Sequence, residues 1–295
     1  MWILAALGTA SCFAVSSLIA LDVAREVGPM LFSLLRTVIS VAVLGALSLV
    51  MGNWSTIHAS LVLPLVISGI LGVLAGDVLR YVALARLGAR RSAVLNATSA
   101  PVALLLGFLF LDEKIGVDAL VGCGAITAGV VFAVLLRPGQ RVDSMWDDVR
   151  GRLIVGVSAG MVAAISQAAA VLIARPVMSS GADPVAASVI RSASGIVPLM
   201  LLLALRQKDL IPSALIGWRN FRRVFLSSIT GTALGMTLQL YALANGEAGV
   251  VATLSGTTPV IILPLVWALS RQRPPALAWL GAVLVVAGTA AIAIR

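Results

Sequence analysis

The sequence predicts an all-α integral membrane protein, with ten transmembrane helices arranged as two inverted five-helix repeats around a central cavity. Hydrophobic residues make up 60% of the 295 residues and charged residues only 11%, whereas a soluble domain carries about 25% charged residues. Apolar runs of about 20 residues, the length of a helix that crosses a bilayer, recur along almost the whole chain. The two halves of the chain also repeat the same residues in the same order.

Ten helices are predicted between breaks of turn-forming and charged residues. They lie at about residues 2–21, 29–51, 61–86, 91–111, 115–136, 152–175, 184–205, 221–245, 248–269 and 274–294. The first run has no basic region in front of it and no evident cleavage site, so we expect a spanning helix and not a signal peptide. The most polar linker, 137–151, separates a first repeat, 1–136, from a second repeat, 152–295.

The strongest internal repeat pairs the end of the third helix with the end of the eighth. Residues 76–101 read GDVLRYVALARLGARRSAVLNATSAP, and residues 235–259 read GMTLQLYALANGEAGVVATLSGTTP. Two further spacings of seven residues recur in matching helices: Pro29 to Arg36 with Pro184 to Arg191, and Gly122 to Gly129 with Gly281 to Gly288. Because each repeat has five helices, the second begins on the opposite side of the membrane, so the repeats are predicted to be inverted.

Polar residues inside the repeated stretch are the leading candidates for function, because such groups are costly in a bilayer unless they face a cavity, a partner or a substrate. Asp77, Arg80 and Tyr81 are spaced i, i+3 and i+4 and therefore share one helix face. Asp77 lies about nine residues, or roughly 13 Å, from the predicted helix end. Two roles stay open for it: an ion pair with Arg80, or contact with a substrate or proton. Together the two charges suit the ammonium and carboxylate groups of an amino acid.

The remaining candidates come from both repeats. Gln239 is the repeat partner of Arg80, and Phe13 and Tyr241 are candidate apolar walls. Two prolines are expected to be buried and to open their helices beside hydroxyl and amide side chains. The predicted substrate-binding residues are Asp77, Arg80, Tyr81, Asn96, Ser99, Gln167, Gln239 and Ser255, and the predicted structural or gating residues are Arg36, Arg191, Pro101 and Pro259. For the two arginines, an alternative is snorkelling to the membrane interface. For the hydroxyls, an alternative is bonding to their own helix. For Gln167, the alternative is a hydrogen bond that holds the helix bundle together, and for Phe13 and Tyr241 it is packing in the core.

The composition argues against several other classes. His58 is the only histidine, and Cys12 and Cys123 lie in separate apolar helices, so we expect no metal site and no cofactor. No nucleotide-binding loop or catalytic set is present, which argues against an enzyme. The net charge of +9 resides mainly in short loops, so we expect no nucleic-acid partner. The expected partners are a small-molecule substrate and membrane lipid. The sequence leaves the oligomeric state open and is compatible with a monomer.

The distribution of basic residues predicts an orientation in the membrane. Connections after the odd-numbered helices contain fifteen lysine and arginine residues, and the other side, termini included, contains three. Since basic loops stay in the cytoplasm, both termini are predicted to lie outside, in a multi-pass protein of a bacterial inner membrane.

The chain resembles the ten-helix EamA-type members of the drug/metabolite transporter superfamily. The matching elements are Leu35-Arg36, Ala83-Leu84-Ala85, Pro101, Phe110-Leu111-Asp112-Glu113 and the glycine pair of the fifth helix. The resemblance implies a secondary transporter that exports small metabolites by alternating access. Amino acids, including neutral and aromatic ones, are the implied cargo, and YddG-like amino acid exporters are the nearest group. Two features depart from the family: Ser270-Arg271-Gln272 replaces the second acidic step, and relatives usually keep their termini in the cytoplasm.

Two alternatives remain beside amino acid export. The first is a proton-coupled multidrug exporter, which is disfavoured because the first helix has no carboxylate before Asp22. The second is a membrane channel, although the chain has no carbonyl filter motif and no ring of like charge.

Overall fold

The computed structural model describes residues 1–51, 53–112, 116–135, 152–205 and 217–270, together with residues 280, 281, 283, 284, 287 and 288. Within these ranges all regular structure is helical, which confirms the all-α prediction. Six of the described helices are long and apolar enough to cross a membrane, and two shorter described ones, Ser99–Phe110 and Leu120–Gly129, are also apolar. The chain is therefore a multi-pass membrane protein.

In the first half, the helices follow the predicted order. They are α1 (Trp2–Val27), α2 (Pro29–Met51), α3 (Ala59–Gly69), α4 (Val78–Ala97), α5 (Ser99–Phe110) and α6 (Val117–Leu135). A short 3₁₀ turn, Asn53–Thr56, precedes α3, and a first π segment, Ile70–Asp77, joins α3 to α4 without a break. Gly88 has φ 81° inside α4. This left-handed conformation suits glycine, and it divides α4 into the end of the third span and the start of the fourth.

The second half repeats this arrangement. It contains α7 (Leu153–Ser179), α8 (Pro184–Ser194), α9 (Ile196–Leu205), α10 (Trp218–Ser227), α11 (Thr237–Asn245), α12 (Ala248–Ser255) and α13 (Thr258–Ser270). A second π segment, Ser228–Met236, joins α10 to α11 and corresponds to the first π segment. The linker 137–151 and most of the predicted tenth helix, 274–294, lie outside the described residues.

One predicted helix end is wrong, because α1 continues to Val27 rather than ending near residue 21. The acidic residues of this extra turn have partners on the second repeat. Asp22 lies 3.5 Å from the guanidinium of Arg223, and Glu26 accepts a 3.0 Å hydrogen bond from the amide of Asn220. The polar residues that suggested a loop therefore face α10, and they are compatible with a continuous helix.

Contacts within the first repeat show that α1 and the third span run in the same direction. The Arg80 guanidinium lies 5.5 Å from the ring centroid of Phe13. Further along both helices, Nε of Arg25 donates a 3.1 Å hydrogen bond to the carbonyl oxygen of Ala85. Residue numbers increase together along the two helices, so the two helices are parallel.

Contacts between the repeats run in the opposite sense. Along the third span, Ser68, Gly76 and Leu87 contact α7 at Ala170, Gln167 and Gly156 respectively. Because residue numbers rise along one helix as they fall along the other, α7 is antiparallel to the third span and hence to α1. Equivalent helices of the two repeats thus point in opposite directions, which confirms the inverted arrangement.

The helix interfaces are built from small residues, which lets backbones approach closely inside a bilayer. Ala6, Ala10 and Ala14 of α1 are completely buried, as are Ala164 and Ala170 of α7. Large apolar side chains lie instead on the outer surface of the bundle, including Leu105, Phe108, Leu109, Leu201 and Leu205. This pattern is the one expected where lipid, and not water, surrounds the protein.

Candidate functional site

Polar side chains from both repeats meet at one cavity near the middle of the spans. The cavity has a volume of about 30 Å³, and because one water needs roughly 10–15 Å³, it has room for about two waters. Phe13 and Val171 form apolar walls. The polar side chains that line the cavity are Asp77, Arg80, Asn96, Ser99, Gln167, Gln239 and Ser255.

Asp77 and Arg80 form the ionic pair of this cavity. Nη2 of Arg80 lies 3.0 Å from Oδ1 of Asp77, and the two side chains are only 14% and 17% exposed, respectively. Arg80 also donates a 2.9 Å hydrogen bond to the hydroxyl of Tyr81 and lies between the rings of Phe13 and Tyr81. These contacts orient the guanidinium, and the ion pair keeps the carboxylate at the cavity wall.

The two π segments bring the repeats into close contact beside the cavity. A Cβ atom on Gly76 would lie 3.1 Å from Oε1 of Gln167, and a Cβ atom on Gly235 would lie 2.8 Å from Cε1 of Phe13. A methyl group at Gly235 would thus require a neighbouring group to shift, and one at Gly76 would require the amide of Gln167 to give way by a few tenths of an ångström. π-Helical turns occur frequently at functional sites, and here each of them ends at the level of the cavity.

The fourth and ninth spans are both interrupted near the cavity. Helix α4 gives way to α5 at Thr98, and α12 gives way to α13 at Gly256 and Thr257. The threonines at these breaks bond locally: Thr98 and Thr257 donate to the carbonyl oxygens three residues earlier, of Leu95 and Leu254. The alternative that the hydroxyls bond to their own helix is thus correct for Thr98 and Thr257.

Ser255 differs from these threonines. Its Oγ is buried and has no hydrogen-bond partner among the described residues, although the residue lines the cavity. A buried hydroxyl without a partner costs free energy. Ser255 is thus a polar group that a solute or a water in the cavity would satisfy.

A second cavity adjoins the first one and shares Phe13, Asp77, Gln167 and Gln239 with it. Its additional charged residues are Arg36 of α2 and Arg191 of α8. These arginines are 2% and 1% exposed. Neither reaches the membrane interface, so the snorkelling alternative is wrong for both.

The structure brings the predicted substrate-binding residues together, with one displaced. Seven of the eight line the first cavity, and Tyr81 lines a third, smaller cavity with Arg80 and Asn96. Tyr81 is 1% exposed and packs edge-on against Phe32, with ring centroids 4.8 Å apart. It is thus a supporting side chain behind the cavity wall. Whether the seven lining residues bind a substrate stays a prediction.

Two expectations about the cavity walls are wrong. Pro101, expected to be buried, is exposed in the first turn of α5, and Tyr241, expected to form an apolar wall, is 42% exposed. The helix break comes three residues before Pro101, at Thr98, and the proline is not among the residues that line the cavity. The side chain of Pro259 lies outside the described part of the structure.

Sequence reasoning missed the serine contacts that join the repeats. Oγ of Ser16 donates a 3.0 Å hydrogen bond to the carbonyl oxygen of Ser227, and Oγ of Ser68 donates a 2.6 Å bond to that of Ala170. Ser68 and Ser227 are both eight residues before the second glycine of their π segments, Gly76 and Gly235. That shared spacing is the signal that could have identified them.

The described residues contain no cluster of three or more histidine, cysteine, aspartate or glutamate side chains that could hold a metal ion. The polar groups at the cavity are therefore suited to hydrogen bonding and to ionic contact.

An inverted repeat of membrane-spanning helices around a polar cavity defines a membrane transport protein. The family model of the EamA-like transporter family matches residues 1–135 and 154–294, once in each half of the chain. The chain therefore belongs to the EamA-like transporter family. Among curated proteins, none matches the chain significantly.

Comparison with solved structures shows that this fold also occurs in another protein. One crystal structure matches with a TM-score of 0.76 over 98% of this chain and 95% of the other chain. The sequence identity is 17%. At that identity the likeness shows the fold alone.

Proposed function

We propose that this protein is a secondary carrier that exports small metabolites, with amino acids as the principal class of cargo. Membership of the EamA-like family supports transport, and the lining of the cavity supports the choice of cargo. Asp77 supplies an anionic group, Arg80 supplies a cationic group, and Gln167, Gln239 and Ser255 supply neutral hydrogen-bonding groups. Such a set matches a zwitterion of few atoms better than it matches a large apolar cation.

The observation that carries the proposal is that both repeats supply polar residues to the wall of the cavity. Asp77, Arg80, Asn96 and Ser99 come from the first repeat, whereas Gln167, Gln239 and Ser255 come from the second. A solute bound by both repeats would couple to their relative movement. In carriers of this architecture, one repeat rocks against the other around a fixed site.

The size of the cavity bears on the mechanism. With room for about two waters, it is too small to hold an amino acid in this conformation. Uptake of a solute would require the walls to separate, and closure would follow on the other side. We infer alternating access from this requirement together with the inverted repeat.

A proton-coupled multidrug exporter is the second candidate. It would use Asp77 as the proton-exchanging carboxylate, because Asp77 is the acidic residue among the described residues that line the two adjoining cavities. The 3.0 Å contact with Arg80 disfavours this role, because the ion pair already engages the carboxylate. Amino acid export is therefore favoured.

The test is transport by purified protein in lipid vesicles. We expect movement of at least one of the twenty labelled amino acids down its gradient, and strongly reduced movement in Asp77→Asn and in Gln239→Ala. Asp118→Asn is the matched control, because Asp118 is exposed in the first turn of α6. Gln239→Ala changes no charge, so it tests the cavity without an ionic imbalance. Failure of all twenty amino acids to move would overturn the assignment of cargo.

A further inference from the structure

The second cavity contains two buried arginines whose charge the described protein does not balance. Arg36 and Arg191 come from equivalent positions of the two repeats, in α2 and α8. Nε and Nη1 of each are buried without a hydrogen-bond partner among the described residues. Their Nη2 atoms approach the opposite π segments, at Gly231 for Arg36 and at Gly72 for Arg191. Both guanidinium groups are therefore held beside the cavity with donors unused.

The described residues that line the two adjoining cavities carry a net positive charge. Their described lining contains three arginines, Arg36, Arg80 and Arg191, and one carboxylate, Asp77. Asp77 is already bound to Arg80 at 3.0 Å. A buried guanidinium without a partner is strongly disfavoured in a low-dielectric interior.

The aromatic contact of Arg36 does not replace an anion. Cζ of Arg36 lies 5.2 Å from the ring centroid of Tyr81. A ring contact of this kind attracts the positive charge but accepts no conventional N–H hydrogen bond, and Nε and Nη1 of Arg36 remain without a hydrogen-bond partner among the described residues. No such ring contact is found for Arg191 among the described residues.

We propose that Arg36 and Arg191 form a carboxylate-binding pair, which holds the carboxylate of the transported solute. The planar guanidinium is suited to carboxylate and phosphate oxygens. Asp77 lines the same cavity, so it would repel a phosphate dianion but attract the ammonium group of an amino acid. The expected ligand is thus a zwitterion, with its carboxylate at the arginine pair and its ammonium group near Asp77. This inference rests on the proposed function, because it specifies how the same cavity selects its cargo.

The first experiment compares each transported amino acid with its carboxamide, which keeps the ammonium group and lacks the carboxylate. We expect the vesicles to move the amino acid at least tenfold faster than its amide. Arg36→Gln and Arg191→Gln should each remove most of this preference. Arg219→Gln is the matched control, because it removes the same charge from a side chain that is 74% exposed. Equal movement of amino acid and amide would overturn the carboxylate site while leaving amino acid transport established.

The second experiment measures binding without transport, by thermal unfolding of the purified protein in detergent. Sodium acetate, compared with sodium chloride at equal ionic strength, should raise the melting temperature by about 2 °C or more. Arg36→Met and Arg191→Met should abolish this rise and should also raise the melting temperature of the protein without ligand, because each removes an unbalanced buried charge. This result would support the carboxylate site even if no amino acid were transported. An equal effect of acetate on wild type and both variants, or stabilisation by phosphate and not by acetate, would overturn it.

Discussion

Phe13 and Gln167 occupy equivalent positions in the two repeats, and each packs against a glycine of the opposite repeat. Phe13 contacts Gly235, and Gln167 contacts Gly76. The cavity between them is thus symmetric in backbone and asymmetric in chemistry, with an aromatic ring on one side and an amide on the other. A carrier with this arrangement would present different groups to a solute from its two halves.

This packing predicts that the π-segment glycines are required for transport. In Gly235→Ala, the new Cβ would lie 2.8 Å from the ring of Phe13, which is closer than real Cβ contacts come. Because this ring lines the cavity, its displacement would alter the cavity wall, so we expect transport to fall at least tenfold in the vesicle assay. Gly76→Ala places its Cβ 3.1 Å from Oε1 of Gln167 and should have a smaller effect, because the amide can rotate.

Gly45→Ala is the matched control for these substitutions. Gly45 lies in α2, and a Cβ atom there would meet nothing within 4 Å. Because alanine is the better helix former, this variant should transport normally and be slightly more stable. Normal transport by Gly235→Ala would show that Phe13 does not limit access to the cavity.

The Asp77–Arg80 pair predicts an asymmetric effect on stability. In Asp77→Ala the cavities keep three arginines without a carboxylate, whereas in Arg80→Ala they keep Asp77 with Arg36 and Arg191. We expect Asp77→Ala to lower the free energy of unfolding by about 3 kcal/mol and Arg80→Ala to lower it by less. Denaturant titration in mixed micelles would measure both. The double variant should cost less than the sum of the two, and strict additivity would show that the pair is not coupled.

The repeated sequence is the reason that the cavity could be predicted. Arg80 and Gln239 stand at matching positions of two similar helix ends, with Asp77 three residues before Arg80, and an inverted repeat brings matching positions together around one axis. Polarity inside apolar runs then identified Asn96, Ser99 and Gln167 as lining residues. The membrane fold could be predicted from the apolar composition and from the lengths of the apolar runs.

Side-chain direction could not be predicted in this way. Arg36 and Arg191 lie about seven residues inside their helices, a depth from which arginine reaches either the interface or the interior. In the structure both arginine side chains point inward, towards Gly231 and Gly72 of the opposite repeat. The local sequence of α2 and α8 gives no signal of this direction. For Pro101, the helix break at Thr98 determines which way the proline ring points, and the spacing of residues does not reveal the break.

The orientation in the membrane remains a prediction from the loop charges. We expect both termini outside, so a reporter that fluoresces only in the cytoplasm should be dark at the C-terminus. The same reporter inserted in the linker 137–151 should be bright and is the positive control.

The aromatic side chains of α10 agree with this orientation. Trp218 and Phe221 are exposed and stack with ring centroids 5.6 Å apart, next to Arg219 and Arg222 in the sequence. They suit the cytoplasmic interface, where basic and aromatic side chains collect. A bright C-terminus would reverse the orientation.

The final prediction concerns the movement of the two repeats. The hydroxyl oxygens of Ser16 and Ser227 lie 2.8 Å apart across the interface between α1 and α10. In a protein with Cys12→Ala and Cys123→Ala, the pair Ser16→Cys and Ser227→Cys should therefore form a disulfide upon oxidation. If the repeats move against each other during transport, this bond should stop the movement of solute, and a reductant should restore it.

The pair Ser68→Cys and Ala170→Cys is the symmetric counterpart, because Ser68 bonds to the backbone of Ala170 across the other interface between the repeats. Each single cysteine variant, treated with the same oxidant, should keep its transport and so controls for chemical damage. Inhibition by both disulfides would show that both interfaces open during the cycle, as inverted repeats with equivalent contacts require. Inhibition by one disulfide alone would confine the movement to one interface. Full transport with both disulfides formed would exclude rocking of the repeats and would favour a channel.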